Sequence, residues 1–145
     1  MKNKLIATLF ILTSFTCFAQ QKITWKDLSK VKFTKKYYPD YKATFLHPTF
    51  SSSVKALEGK QISITGYFLN IDPQENFYIL SKGPMASCYF CGTGGPETAI
   101  EIEFLSKPSF ATDDVITVTG ILQLNDQDVE HFNYILSQSK GKRTE

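Results

Sequence analysis

Two short segments with the same pattern of β-branched residues constrain the fold of this chain more than any other feature. The segment ISITG at residues 62–66 recurs as ITVTG at 116–120, and YILS at 78–81 recurs at 134–137. Each long predicted strand therefore has a central glycine and precedes a shorter aromatic strand. A glycine within a strand permits the sharp coiling that closes a small sheet on itself. Because two such pairs are too few for a repeat array, the pattern indicates the pseudo-symmetry of a small barrel.

Strand-like alternation of apolar and polar residues runs through the second half of the chain. It predicts strands over residues 60–71, 77–81, 100–104, 115–124 and 132–137, with a turn at 72–76. In the third of these strands Glu101 and Glu103 are expected to face outward. Leu69 and Ile71 fall on the opposite parity to the preceding isoleucines, which predicts a bulge at or after Gly66. The polar residues 139–145 are expected to form a frayed tail.

Five strands of this kind resemble an oligonucleotide/oligosaccharide-binding (OB) barrel. The fold class expected is therefore mainly β, with a five-stranded, closed or partly open OB-like barrel over residues 60–138 and short N-terminal helices. Because OB barrels bind many unrelated ligands, the fold alone does not indicate a function.

Residues 20–59 are expected to form an N-terminal arm packed on the barrel. Thr24, three residues before Asp27, predicts a capped helix that ends near Lys30. The aromatic-rich and proline-containing residues 31–50 predict an irregular segment. Ser51, Ser52 and Ser53 can cap a second short helix over residues 54–58, which Gly59 would end.

The first nineteen residues have the three-part pattern of a secretory signal. Lys2 and Lys4 precede a run of apolar residues that ends near Ala19, where cleavage is expected. The run is too short for a membrane-spanning helix, so a periplasmic or secreted protein without a transmembrane segment is predicted.

Charge argues against nucleic acid as a ligand. The whole chain has 16 basic and 14 acidic residues, and loss of the two signal lysines leaves equal numbers. Nucleic-acid binding usually requires a basic excess. Seven lysines are concentrated over residues 22–42, where the ordinary interpretation is a solvated face and the alternative is an anionic partner or membrane surface.

The long loop at residues 83–98 contains Cys88 and Cys91, which are separated by two residues. In an oxidising compartment the pair can form a disulfide, although so short a ring adds little stability. The run Cys-x-x-Cys-Gly is also typical of half a zinc site. Thioredoxin-like redox catalysis is disfavoured, because the glycines after Cys91 cannot propagate the helix that such a site uses.

A zinc site would need further ligands, since zinc prefers four. The candidates are His47, His131 and Glu97. Alternatively, two chains could each supply a cysteine pair, which would make the protein a homodimer. The sequence contains neither a nucleophile–base pair nor a phosphate loop, so an enzyme is not expected.

The chain resembles a family of small exported bacterial proteins with an OB-like barrel, often encoded beside metal-responsive, zinc-type ABC permeases. The matching residues are Trp25 and Leu28, then GKQISITGY at 59–67, then Cys88 with GPETAI at 95–100. Where those relatives have Cys-x-His, this chain has a second cysteine, and both residue types bind transition metals. The resemblance implies a periplasmic accessory protein for metal handling, with a membrane transporter or another envelope protein as its partner.

Overall fold

The computed structural model describes residues 20–144. Residues 1–19, where the secretory signal is predicted, lie outside the described residues. The described chain contains eight β-strands, β1 (Gln21–Lys22), β2 (Val31–Tyr38), β3 (Ala43–Phe50), β4 (Gln61–Asp72), β5 (Phe77–Ser81), β6 (Ala99–Phe104), β7 (Val115–Leu124) and β8 (Tyr134–Arg143), and two α-helices, α1 (Trp25–Leu28) and α2 (Ser52–Lys55). Over residues 20–144, no helix has the length and apolarity that crossing a membrane requires.

Strands β4 to β8 form a closed five-stranded barrel in the order β4-β5-β6-β8-β7, with β7 returning to β4. All neighbours are antiparallel except β6 and β8, which run parallel. The two glycine-centred segments lie side by side, with Ile62 opposite Gly120 and Gly66 opposite Ile116. The predicted barrel with short helices is confirmed.

The barrel encloses the larger of two hydrophobic clusters. Its fully buried members include Ile64 and Phe68 of β4 and Ile116 and Leu122 of β7. These residues occupy the inward positions that the alternation predicted, because successive side chains of a strand point to opposite faces.

A bulge was predicted at or after Gly66, and the irregularity in β4 does lie after Gly66 but beyond Leu69. The pairing of β4 with β5 is continuous from Tyr67 to Asn70, and the register shifts only between Asn70 and Asp72. Leu69 has the opposite parity because it packs in the second hydrophobic cluster, with Ile79 and Cys88. A second buried face, not an extra residue, produced the parity change.

Helix α1 begins where the capping pattern placed it. The Asp27 Oδ2 atom accepts hydrogen bonds from the Thr24 backbone N–H (2.9 Å) and hydroxyl (2.8 Å). The Trp25 indole N–H donates to the Thr65 carbonyl at 2.8 Å. A Cβ atom at Gly66 would lie only 2.9 Å from Trp25 Cζ2, so this glycine allows the indole to pack directly on β4.

The sequence predicted an irregular segment over residues 31–50, and this prediction is wrong. Strands β2 and β3 pair antiparallel from Val31 opposite Phe50 to Tyr38 opposite Ala43, and a 3₁₀ turn (Pro39–Tyr41) joins them. The two strands form a separate sheet of their own, so Pro48 removes no hydrogen bond that a third strand would need. We call residues 31–50 the hairpin.

Helix α2 begins two residues earlier than predicted. The Ser51 side chain accepts a hydrogen bond from the Val54 N–H at 3.4 Å. The chain then continues through turns to Gly59, whose φ of 72° is left-handed and well suited to glycine. Leu28 of α1 and Val54 of α2 are both fully buried in the main cluster, so both helices are packed on the barrel.

The expected frayed tail is also wrong for the described residues. Strand β8 continues to Arg143, which pairs with Ile116 of β7. Ser139 is buried, and a Cβ atom at Gly141 would lie 2.6 Å from the Phe110 ring. The segment is polar because backbone pairing to β7, rather than side-chain burial, holds most of it in place.

Candidate binding groove and cysteine loop

The cysteine loop, residues 83–98, connects β5 to β6 and is folded into three short 3₁₀ turns. The turn Tyr89–Cys91 is closed by the Cys91 N–H, which donates to the Cys88 carbonyl at 3.0 Å. Gly92 ends it with a φ of 77°, a conformation that glycine adopts without a steric penalty. The pair is therefore held on a tight turn, as the spacing predicted.

The two cysteines occupy different environments. Cys88 is 2% exposed and packs with Leu69 and Ile79 in the second hydrophobic cluster, whereas Cys91 is exposed. Both thiols are free and approach each other to 4.0 Å. The Cys91 thiol donates to the Met85 carbonyl at 3.1 Å. Local desolvation, followed by the hydrogen bond and the charge of Cys88, raises the pKa of Cys91, so this thiol is a weaker nucleophile at neutral pH.

The structure does not bring the five predicted metal ligands together. His47 Nδ1 is 3.0 Å from the Tyr38 hydroxyl within the hairpin, and His131 Nδ1 is bonded to Glu101. The Glu97 carboxylate lies over Gly95, where it fills the space of a Cβ atom. Among residues 20–144, no three His, Cys, Asp or Glu side chains form a group that could hold a metal ion.

A surface groove of about 370 Å³ lies where three segments converge, and its size is that of a small-ligand site. The hairpin forms one wall, the cysteine loop a second, and the loop between β7 and β8 a third. We call this space the groove. Its lining residues are Tyr38, Thr44, Phe45, Leu46 and Pro48 of the hairpin, Tyr89 and Pro96 of the cysteine loop, and residues 126–133.

Aromatic rings form two opposite parts of the groove. On the hairpin, Tyr38 and Phe45 pack edge to face with their centroids 5.8 Å apart. Across the groove, Tyr89 and Phe132 make the same kind of contact at 6.3 Å. Such pairs hold each other in place, and all four rings line the groove.

The β7–β8 loop is organised by Asn125. Its side-chain amide donates to the carbonyls of Asp128, at 2.7 Å, and Phe132, at 3.2 Å. Its side-chain oxygen accepts from the Gln127 N–H at 3.2 Å, an Asx turn that asparagine forms readily, and from the Asp128 N–H at 2.9 Å. These bonds place the carboxylates of Asp126, Asp128 and Glu130 along the groove.

A buried carboxylate supports the histidine of the groove. Glu101 Oε1 is 2.9 Å from His131 Nδ1, and Oε2 accepts from the Phe132 N–H at 3.1 Å. The Glu101 side chain is 9% exposed and that of His131 is 50% exposed. The hydrogen bond to Glu101 and then the charge of that carboxylate raise the pKa of His131.

Sequence reasoning missed Glu101, because alternation placed it on the outer face of β6. That placement is correct, but the β7–β8 loop covers this part of the outer face. The one available signal was His131 immediately before the last strand, since parallel neighbours β6 and β8 bring their flanking segments together.

Comparison of the chain with known protein families, curated proteins and solved structures found no match. The predicted membership of a metal-handling family therefore stays a prediction.

Proposed function

We propose that the protein is an exported, non-catalytic binding barrel that takes its ligand in the groove. In this proposal, Cys88 and Cys91 close reversibly into a disulfide that fixes the cysteine-loop wall. Export is supported by the signal-like pattern of residues 1–19, and binding by the converging aromatic walls of the groove.

The single observation that carries the proposal is the position of Tyr89. This residue lies between the two cysteines in sequence, lines the groove and contacts Phe132 of the opposite loop. Any change in the covalent state of the pair therefore acts on a ring that a ligand would touch.

The disulfide needs only a small movement, because the cysteines are 4.0 Å apart. Oxidation would join the two Sγ atoms in one S–S bond. The two electrons would pass to a small-molecule disulfide, such as glutathione disulfide, which is reduced to two thiols. The two thiol protons would pass to the two glutathione sulfurs as the S–S bond of the small-molecule disulfide breaks. Since the ring is short, the bond would add little to stability and act mainly on the loop.

A second candidate is the metal-handling role that the family resemblance implies, with a membrane transporter as partner. Its support is the close pair of free thiols, one of them exposed. Because zinc prefers four ligands, a homodimer in which two chains share one ion is the arrangement most consistent with this candidate.

Native mass spectrometry of the mature protein, purified without added metal or reductant, tests both candidates. A mass lower by two hydrogens supports the disulfide, and a dimer with one zinc supports the metal site. Cys91→Ser, at the exposed position, must abolish either signal, whereas Ser87→Ala in the same loop must not. Bare thiols that neither glutathione disulfide nor zinc alters would overturn both.

NMR spectra test the link between the pair and the groove. On addition of glutathione disulfide, amide signals of Tyr89 and Phe132 should shift, while those of Thr117 and Lys142 on the far strands should not. If the disulfide forms and the groove signals stay fixed, the proposed role of the pair is wrong.

A further inference from the structure

We propose that the groove recognises lysine or arginine side chains of a partner polypeptide. This inference rests on the proposed function, namely that the groove is the binding site, and adds the chemical class of the ligand.

The first support is a cation–π contact on Tyr38, one of the rings that line the groove. Lys36 Nζ lies 5.0 Å from the centroid of the Tyr38 ring, within the distance at which an aromatic face attracts a cation. Phe45, Tyr89 and Phe132 are the other aromatic rings that line the groove. Aromatic rings that surround a polar space are typical of sites for ammonium and guanidinium groups.

The second support is uncompensated negative charge. Among residues 20–144, the ion pairs to lysine or arginine are made by Asp27 and Asp114. The three carboxylates of the groove, Asp126, Asp128 and Glu130, have no such ion pair. Glu130 accepts only a long hydrogen bond, 3.4 Å, from the Tyr41 hydroxyl.

This negative charge acts across the whole groove. Desolvation, and then the charges of Glu130 and Asp128, raise the pKa of Tyr41 on the hairpin side. The hydrogen bond to Glu101 and the charge of Glu101, and to a lesser extent the charge of Asp128, raise the pKa of His131 on the barrel side. The carboxylates would repel an anionic ligand. A cationic ligand would be attracted to them and would reduce their repulsion of one another.

The shape fits a side chain presented by an extended segment. The volume of about 370 Å³ holds one or two long side chains, and the groove is open along the surface, so the main chain of a partner can continue past it. His131, which is hydrogen-bonded to Glu101, is also among the lining residues.

The test is an NMR titration of the reduced mature protein with three probes. These are a hexapeptide of alternating glycine and arginine, the same peptide with glutamate for arginine, and a neutral hexasaccharide. The arginine peptide should shift amide signals of Phe45, Asp128 and His131. Asp126→Asn combined with Glu130→Gln should weaken its binding about fivefold or more, as expected for two exposed charge pairs.

The matched control is Glu58→Gln combined with Glu75→Gln, which removes the same charge outside the groove and should leave the Kd within about twofold. If both double variants weaken binding equally, or if the arginine peptide shifts signals elsewhere only, the inference is wrong.

The three probes also separate the inference from the proposed function. If the groove responds to the glutamate peptide or the hexasaccharide and not to arginine, the ligand class is wrong while the binding function is supported. If no probe affects the groove, the proposed function itself is contradicted.

Discussion

Replacement of Tyr134 by phenylalanine tests how the N-terminal segment is attached to the barrel. Tyr134 begins β8, is fully buried, and donates from its hydroxyl to the Leu28 carbonyl of α1 at 2.7 Å. The substitution keeps the ring and its packing against Phe50, but leaves a carbonyl at the end of α1 without this donor. A buried acceptor left unsatisfied costs about 1–3 kcal/mol.

We therefore expect Tyr134→Phe to lower the free energy of unfolding by about 2 kcal/mol and the Tm by several degrees. Urea unfolding, followed by Trp25 fluorescence and by far-UV circular dichroism, measures the change. The two signals should give the same midpoint if unfolding is two-state. The control is Tyr37→Phe, at a side chain that is 59% exposed.

The pH dependence provides a second test of the same contact. Burial, and to a lesser extent the charge of Glu97, raises the pKa of Tyr134 above its ordinary value of 10.0. Above that value the unfolded chain loses the proton while the folded protein keeps it, so the contribution of Tyr134 to stability falls as pH rises. The difference between the wild type and Tyr134→Phe should therefore shrink above pH 10.0. A variant as stable as the Tyr37→Phe control at neutral pH would refute the reasoning.

Three further predictions concern single features of the barrel. Gly66→Ala should destabilise by about 2 kcal/mol or more in urea unfolding, because the new Cβ would lie 2.6 Å from the Ser81 carbonyl oxygen. An effect below about 0.5 kcal/mol, the size typical of surface substitutions, would contradict this. Truncation after residue 138 should lower the Tm by several degrees, because it removes the pairing of β8 with Ile116–Thr119 of β7; an unchanged Tm would restore the interpretation of a frayed tail. The raised pKa of His131 implies a contribution to stability that is fully present below pH 6.5 and is lost as pH rises through the folded pKa. His131→Gln should therefore destabilise the protein more at acidic than at alkaline pH. An equal effect at both pH values would disprove the pairing with Glu101.

The barrel could be predicted from the sequence because the alternation that marks each of its strands lies within a short stretch of the chain. Alternation marked each strand, and the repeated ISITG and ITVTG segments turned out to be neighbours in the sheet. The hairpin was missed because a two-stranded ribbon buries few side chains, so Lys35, Lys36 and Tyr37 show no alternation. The end of β8 was missed for the same reason, since backbone pairing leaves little trace in composition.

The groove could not be predicted, because its three walls come from segments far apart in the chain. Tyr38, Tyr89 and His131 meet only after the barrel has closed. The cysteine pair was recognisable from its spacing, but the assignment of His47, His131 and Glu97 as its ligands assumed a proximity that spacing cannot establish. The structure gives the two histidines hydrogen-bond partners in different elements.

The separate sheet formed by the hairpin also bears on solubility. Neither β2 nor β3 pairs with another strand of the described chain, so each presents an open edge to which a second molecule could add a strand. Such edges promote aggregation unless charge or proline blocks them. Lys32, Lys35 and Lys36 along β2, with Pro48 on β3, provide both kinds of protection. The concentration of lysines in this segment is therefore expected to oppose the addition of a strand from a second molecule at this edge.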